Sequence, residues 1–209
     1  MKKTDTSTKD TILAIALDMF SNKGCNAVSI RDIGKAVGIK ESSIYYHFVN
    51  KNEILETLLR QADQFAENLK NKFNSALAVT TSIKEEAYVG AGVAYMEHYL
   101  LNEQIYKLIR MLTIEKQTNE EAARIYHDML FKVPLGHHEN VYKLLIEQGY
   151  IANDNPARLA SEYQAIILFI FQKYFSGGII TPESKIAARD ELQELLKRIY
   201  QKNFVKEQD

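Results

Sequence analysis

The chain has 209 residues, with 26 Lys and Arg against 27 Asp and Glu, for a formal net charge of -1. That balance excludes a polycation that coats nucleic acid by bulk charge, and equally an acidic solvating tail. Hydrophobic residues at 46% and charged residues at 25% are ordinary globular composition, with enough apolar surface for a real core. The single cysteine, Cys25, allows no internal disulfide. The longest apolar run, Ala165 to Phe171, falls far short of the about 20 residues of a membrane-spanning helix. The opening Met-Lys-Lys-Thr-Asp is not a secretory signal. The composition reads as a cytoplasmic, all-helical protein with no membrane partner.

A polar arm, Met1 to Thr6, comes first. Ile12, Ile15, Ala16, Met19 and Phe20 then recur at helical spacing, and Gly24 ends that helix. Ser29 is an N-cap with Asp32 three residues on, opening a short helix from Ile30 to Val37. Gly38 ends it, and a third short helix runs from about Lys40 to His47. Asn50 caps a long helix whose apolar face runs from Ile54 to Phe73. After a loop at Val79 to Ser82, helices are expected over about 82–100, 103–115, 119–131 and 134–148. Pro156 starts a helix to Phe175 that is apolar nearly all round in its second half, and Pro182 starts the last, ending near Phe204.

The segment Ile30 to Phe48 carries the most information. Two short helices meet at Gly38, with Gly34 four residues earlier and Ile33, Val37, Ile39 and Ile44 as an apolar seam. This is helix-turn-helix spacing, whose second helix enters the major groove of DNA. Plain helical corners share it. The second helix reads Lys-Glu-Ser-Ser-Ile-Tyr-Tyr-His, rich in groups that donate to phosphates or reach base edges. A solvated face with packing tyrosines explains the serines, but less readily Tyr45-Tyr46-His47 followed by Phe48 and Lys51.

Residues from about Asp10 to Leu59 resemble the N-terminal domain of the TetR family of transcriptional regulators. The landmarks are Ile12, Ala16, Phe20 and Gly24, then Ser29, Ile33, Gly34, Val37 and Gly38. Ile44-Tyr45-Tyr46-His47-Phe48 and Lys51-Asn52-Glu53-Ile54-Leu55 complete them. Cys25 departs from the pattern, standing where relatives carry an aromatic. The resemblance implies a three-helix DNA-binding domain (1–50) joined by a long helix to a helical effector-binding and dimerisation domain (51–209). It implies a homodimeric, effector-responsive regulator, most often a repressor, on a double-stranded operator. Ser29, Tyr45, His47 and Lys51 would contact phosphates; Lys40, Ser42, Ser43 and Tyr46 would face the groove.

Residues 1–50 carry 7 basic against 5 acidic residues, net +2, and the rest 19 against 22, net -3. The alternative function is a helical small-molecule or protein-binding module without an operator, which the weak charge of the head favours. Tyr95, Tyr99, Tyr106, Met111, Tyr126, Met129 and Tyr163 are candidates to line an apolar or aromatic effector site, although core packing alone accounts for most aromatics there. His127, His137 and His138 lack metal-ligand spacing and read as solvent-facing or capping groups. No cofactor motif or nucleophile arrangement marks an enzyme. Leu159, Tyr163, Ile166, Ile167, Ile170 and Tyr174 form one apolar face, and Leu192, Leu195, Leu196 and Ile199 another. Either these build a four-helix dimer interface or they pack within one subunit.

Overall fold

A computed structural model describes residues 7–77, 84–152 and 154–205. The N-terminal arm and the loop expected at Val79 to Ser82 lie outside them. Among the described residues every regular element is a helix, apart from one isolated antiparallel bridge between Ile151 and Phe204. The helices are α1 (Thr8–Lys23), α2 (Ile30–Val37), α3 (Glu41–His47), α4 (Lys51–Leu77) and α5 (Glu85–Tyr95). They continue as α6 (Glu103–Glu115), α7 (Glu120–His127), α8 (Val133–Glu147), α9 (Pro156–Phe175) and α10 (Pro182–Asn203). None of the described helices is long and apolar enough to cross a membrane.

The chain divides into two compact units. One takes the chain up to Phe65 together with Glu103–Tyr126; the other takes Ala66–Asn102 and the chain from His127 onward. The boundary drawn from the sequence at residue 50 is therefore not where the compact units part. The first unit claims α6 and nearly all of α7 as well as the three N-terminal helices.

In the first unit, Ser7 caps α1 by accepting from the Asp10 N–H at 3.2 Å. Helix α1 packs on α2 and on α6. Ile12, Ala16, Phe20, Ile33, Ile44, Phe48, Ile54, Leu58, Leu108, Met111 and Leu112 are its buried apolar core. They recur every three or four residues along each helix, so one stripe per helix leaves water.

In the second unit, α9 packs against both α8 and α10, and α10 against α5. Met96, Leu100, Met129, Leu145, Ile167, Ile170, Phe175, Leu192 and Leu196 are buried. Asn155 caps α9, accepting from the N–H groups of Ala157 and Arg158, with Pro156 in the first turn where a missing N–H costs nothing.

Pro134 behaves differently from the sequence expectation. The spacing places a helix start there, yet the helix runs through it from Glu120 to Glu147 by way of a π turn at Asp128–Lys132. A proline inside a helix cannot bond the carbonyl four residues back, here Leu130, and its ring crowds that carbonyl. The π turn loosens the backbone at that point, with the Val133 N–H reaching Asp128 instead. The Leu130 carbonyl is taken by the side-chain amide of Gln164 at 2.8 Å. A second π turn, Met96–Leu100, extends α5.

Candidate functional site

The head is built around the α2–α3 corner. Gly38 adopts φ 81° and ψ 26°, the left-handed conformation that lets α2 stop and the chain turn at once. Its N–H and that of Ile39 both bond the Gly34 carbonyl at 2.9 Å. A Cβ on Gly34 would lie 3.1 Å from the Ile39 carbonyl oxygen and 3.4 Å from Ile44 Cδ1. The missing side chain therefore lets α3 cross α2 closely. Ile44 and Phe48 are buried and anchor α3 by one side.

The opposite side of α3 is bare. Tyr46 is 87% exposed and Tyr45 53%. Lys40 and Ser42 are exposed beside them, while Ser43 and His47 are half-buried. The Tyr46 and His47 rings meet edge to face at 5.2 Å. One short helix and its N-cap thus present hydroxyls, an ammonium and a ring together, the chemistry that meets phosphates and base edges.

Two of the expected contacts, Ser29 and Lys51, have their polar atoms engaged within the protein. Ser29 Oγ donates its one O–H to the Asp32 carboxylate at 2.6 Å and accepts the Asp32 N–H at 3.1 Å. That hydroxyl caps α2, and the bond from it holds the Asp32 carboxyl below the usual carboxylate range. Lys51 Nζ donates to the carbonyls of Cys25 at 2.7 Å and Val28 at 2.8 Å. Cys25 is buried, and burial pushes its thiol up, so it is not a reactive thiolate. Sequence reasoning missed Glu115, a buried carboxylate on α6 that accepts the Cys25 N–H at 2.7 Å. A single acidic residue at the end of an apolar helical stripe was the only available signal.

The seven residues expected at an effector site fall in both units. Tyr106, Met111 and Tyr126 belong to the first, and Tyr95, Tyr99, Met129 and Tyr163 to the second. The three tyrosines of the second group share a polar aromatic cluster, and Met129 is buried in the same unit. Tyr95 and Tyr99 stack at 5.4 Å, and Tyr163 meets His138 edge to face at 4.8 Å. His138 Nε2 lies 3.2 Å from Gln164 Oε1, and the hydroxyls of Tyr88 and Tyr142 are 2.6 Å apart. The Tyr99 hydroxyl is buried without a hydrogen-bond partner among the described residues.

His138 is thus a buried core residue, not the solvent-facing or capping group expected. Burial lowers its pKa to about 3 and that of half-buried His137 to about 4, so both rings are neutral. His127 stacks on Phe131 at 5.6 Å. Among the described residues no group of three or more His, Cys, Asp and Glu could hold a metal ion.

The expected dimer face is largely internal. Leu159, Tyr163, Ile167, Ile170, Leu192, Leu196 and Ile199 are buried within the single chain, and only Ile166, Tyr174 and Leu195 stay half-exposed. These faces seat α9 and α10 within one subunit. The outward apolar side chains are different ones: Phe169 at 57% exposure, Ile179 and Ile186.

Residues 12–58 match the family model of the bacterial regulatory proteins of the tetR family. IcaR, the negative transcriptional regulator of the icaADBC biofilm operon in Staphylococcus aureus strain Newman, is 26% identical over 155 residues, covering 68% of this chain and 82% of that protein. A structure assigned to the TetR family from Mesorhizobium loti matches with a TM-score of 0.70 at 18% identity, over 98% of this chain and 100% of that one. A regulator structure from Saccharomonospora viridis in complex with choline matches at 0.66 and 17% identity, over 95% and 98%.

Proposed function

The chain belongs to the TetR family of bacterial regulatory proteins, and from that premise we propose that it is an effector-responsive repressor binding a pseudo-palindromic operator as a homodimer. The observation that carries the reading is the bare side of α3. Tyr46, Tyr45, Lys40 and Ser42 stand out from a helix that Ile44 and Phe48 anchor from behind. Tyr46, Lys40, Ser42 and Ser43 face the groove, and Tyr45 and His47 reach phosphates. The small net charge of the head makes geometry and neutral donors carry more of the affinity than counterion release does. IcaR, a negative regulator, supports repression as the direction. As a regulator it is not an enzyme, and it works in the cytoplasm beside its DNA.

Dimerisation uses the outward side of α9 and α10, where Phe169, Ile186 and half-buried Ile166 remain exposed in the single chain. Two heads then meet successive major grooves about 34 Å apart. The effector site is the cluster of Tyr95, Tyr99, Met129 and Tyr163 with His138 and Gln164. Its titratable groups are held neutral by burial, which suits an uncharged apolar or aromatic ligand with one hydrogen-bonding group. The choline held by the Saccharomonospora viridis structure supports a small-molecule effector on this fold. Selection from a random duplex pool with the full chain tests the reading. An enriched inverted repeat is expected; no enrichment at low salt would leave a binding module without an operator.

A further inference from the structure

We infer that Glu115 and Lys51 are positioning residues for DNA binding, which together clamp the backbone of Cys25 and so fix the entry to the helix-turn-helix. The inference rests on the reading that the head binds DNA. Cys25 lies in the turn between α1 and α2. Its N–H donates to Glu115 Oε1 at 2.7 Å, and its carbonyl accepts from Lys51 Nζ at 2.7 Å. Both polar groups of one backbone residue are therefore held by side chains from two other helices, α6 and α4.

The clamp brackets the recognition element at both ends. The same Lys51 ammonium bonds the carbonyl of Val28, directly before the cap of α2, at 2.8 Å. Lys51 itself is the first residue of α4, just after α3. One ammonium thus ties the start of α2 to the end of α3. Glu115 adds α6, and it is only 6% exposed. Helix α6 also holds the end of α1 through Lys107 to Asp18 at 3.0 Å and Arg110 to the Ser21 carbonyl at 3.3 Å. The Lys107–Asp18 pair is open to water and weakened by it; the Glu115 bond is buried. With two of its three hydrogens directed at carbonyls, Lys51 acts on DNA through the turn and not as a phosphate ligand.

The test compares the full-length chain with Lys51→Met, Glu115→Gln and Glu115→Leu on the duplex pool that the wild type enriches. Binding is read against salt at a temperature where circular dichroism shows each variant folded. Losing a phosphate contact lowers the slope of log K on log salt by about 0.9. Lys51→Met is expected to keep the wild-type slope while losing about ten-fold in affinity. Glu115→Gln keeps an acceptor for the Cys25 N–H and is expected to bind like wild type. Glu115→Leu removes the acceptor and is expected to lose affinity as Lys51→Met does. A slope reduced by one contact per protomer in Lys51→Met, or a folded Glu115→Leu with wild-type affinity, overturns the inference. Should Glu115→Leu fail to fold, the Lys51→Met slope decides alone. A wild-type chain that enriches no DNA overturns the regulator reading instead, a result distinct from variants that bind as wild type does.

Discussion

The side-chain amide of Gln164 in α9 occupies the carbonyl of Leu130, the acceptor that Pro134 leaves without a helical donor. A buried carbonyl without a partner is costly, so a proline inside a helix is tolerated where something else supplies the hydrogen. Gln164 is 1% exposed, and its other amide atom, Oε1, faces His138. Replacing it with Leu is expected to destabilise the protein by about 1–3 kcal/mol. In a Pro134→Ala background the Ala N–H can reach Leu130 itself, so the same replacement should cost less. Urea unfolding of the four proteins measures the coupling; additive effects would show that Gln164 and Pro134 act independently.

His138 sets a pH dependence with a definite sign. Its folded pKa lies at about 3, below the ordinary 6.5, because burial disfavours the charged ring. Between those values the unfolded chain binds more protons than the folded one, so stability rises with pH. The contribution is complete above about 6.5 and is lost as pH falls toward 3, at roughly 1.4 kcal/mol per unit where the difference is full. His137 acts in the same direction. Thermal unfolding between pH 5 and 7.5 should show a midpoint that drops on the acid side. His138→Gln should flatten that drop, and an unchanged profile would assign it to other groups.

Much of the head was legible because its signals are local. Gly38, the Ser29 cap and the apolar seam act within a few residues, so the span of α2, Ile30–Val37, follows from sequence directly. Asn50 likewise caps the first turn of α4, accepting the Glu53 N–H at 3.0 Å. The chemistry of Ser29 and Lys51 was not legible. Whether a polar atom faces solvent or a neighbouring carbonyl depends on how the chain folds back, and Cys25 lies 26 residues from Lys51. Pro134 is ambiguous for a similar reason: a helix start and a π turn read alike until Gln164 arrives from 34 residues beyond Leu130. The second half of α9 is apolar on nearly every side, so periodicity could not say which face stays inside the subunit.

That last ambiguity yields a prediction about self-association. Phe169 is exposed, whereas Ile167 two residues earlier is fully buried. Charge at the two positions should therefore fail differently. Phe169→Glu is expected to leave the helical spectrum and thermal midpoint near wild type and to shift sedimentation from dimer to monomer. Ile167→Glu buries an unpaired charge and should compromise folding itself. A dimeric Phe169→Glu protein would remove α9's outward side from the interface. A wild-type monomer at micromolar concentration would remove the dimer altogether.

Tyr99 offers a separate test of the effector site. Its hydroxyl is buried without a partner among the described residues, and burial holds its phenol protonated. Such a group is expensive in the empty protein and useful only when a bound molecule supplies an acceptor or donor. Tyr99→Phe keeps the ring that stacks on Tyr95 and removes only the oxygen. In the absence of effector it should raise stability by about 1 kcal/mol, read as a higher thermal midpoint. The same variant should respond less to whatever uncharged ligand releases the wild type from its selected DNA. Tyr95→Phe, at a hydroxyl that also interacts with Gln164, should not gain stability to the same extent. A Tyr99→Phe protein that is less stable than wild type would mean that the hydroxyl already makes a favourable bond, and the effector would then have to be sought elsewhere in the second unit.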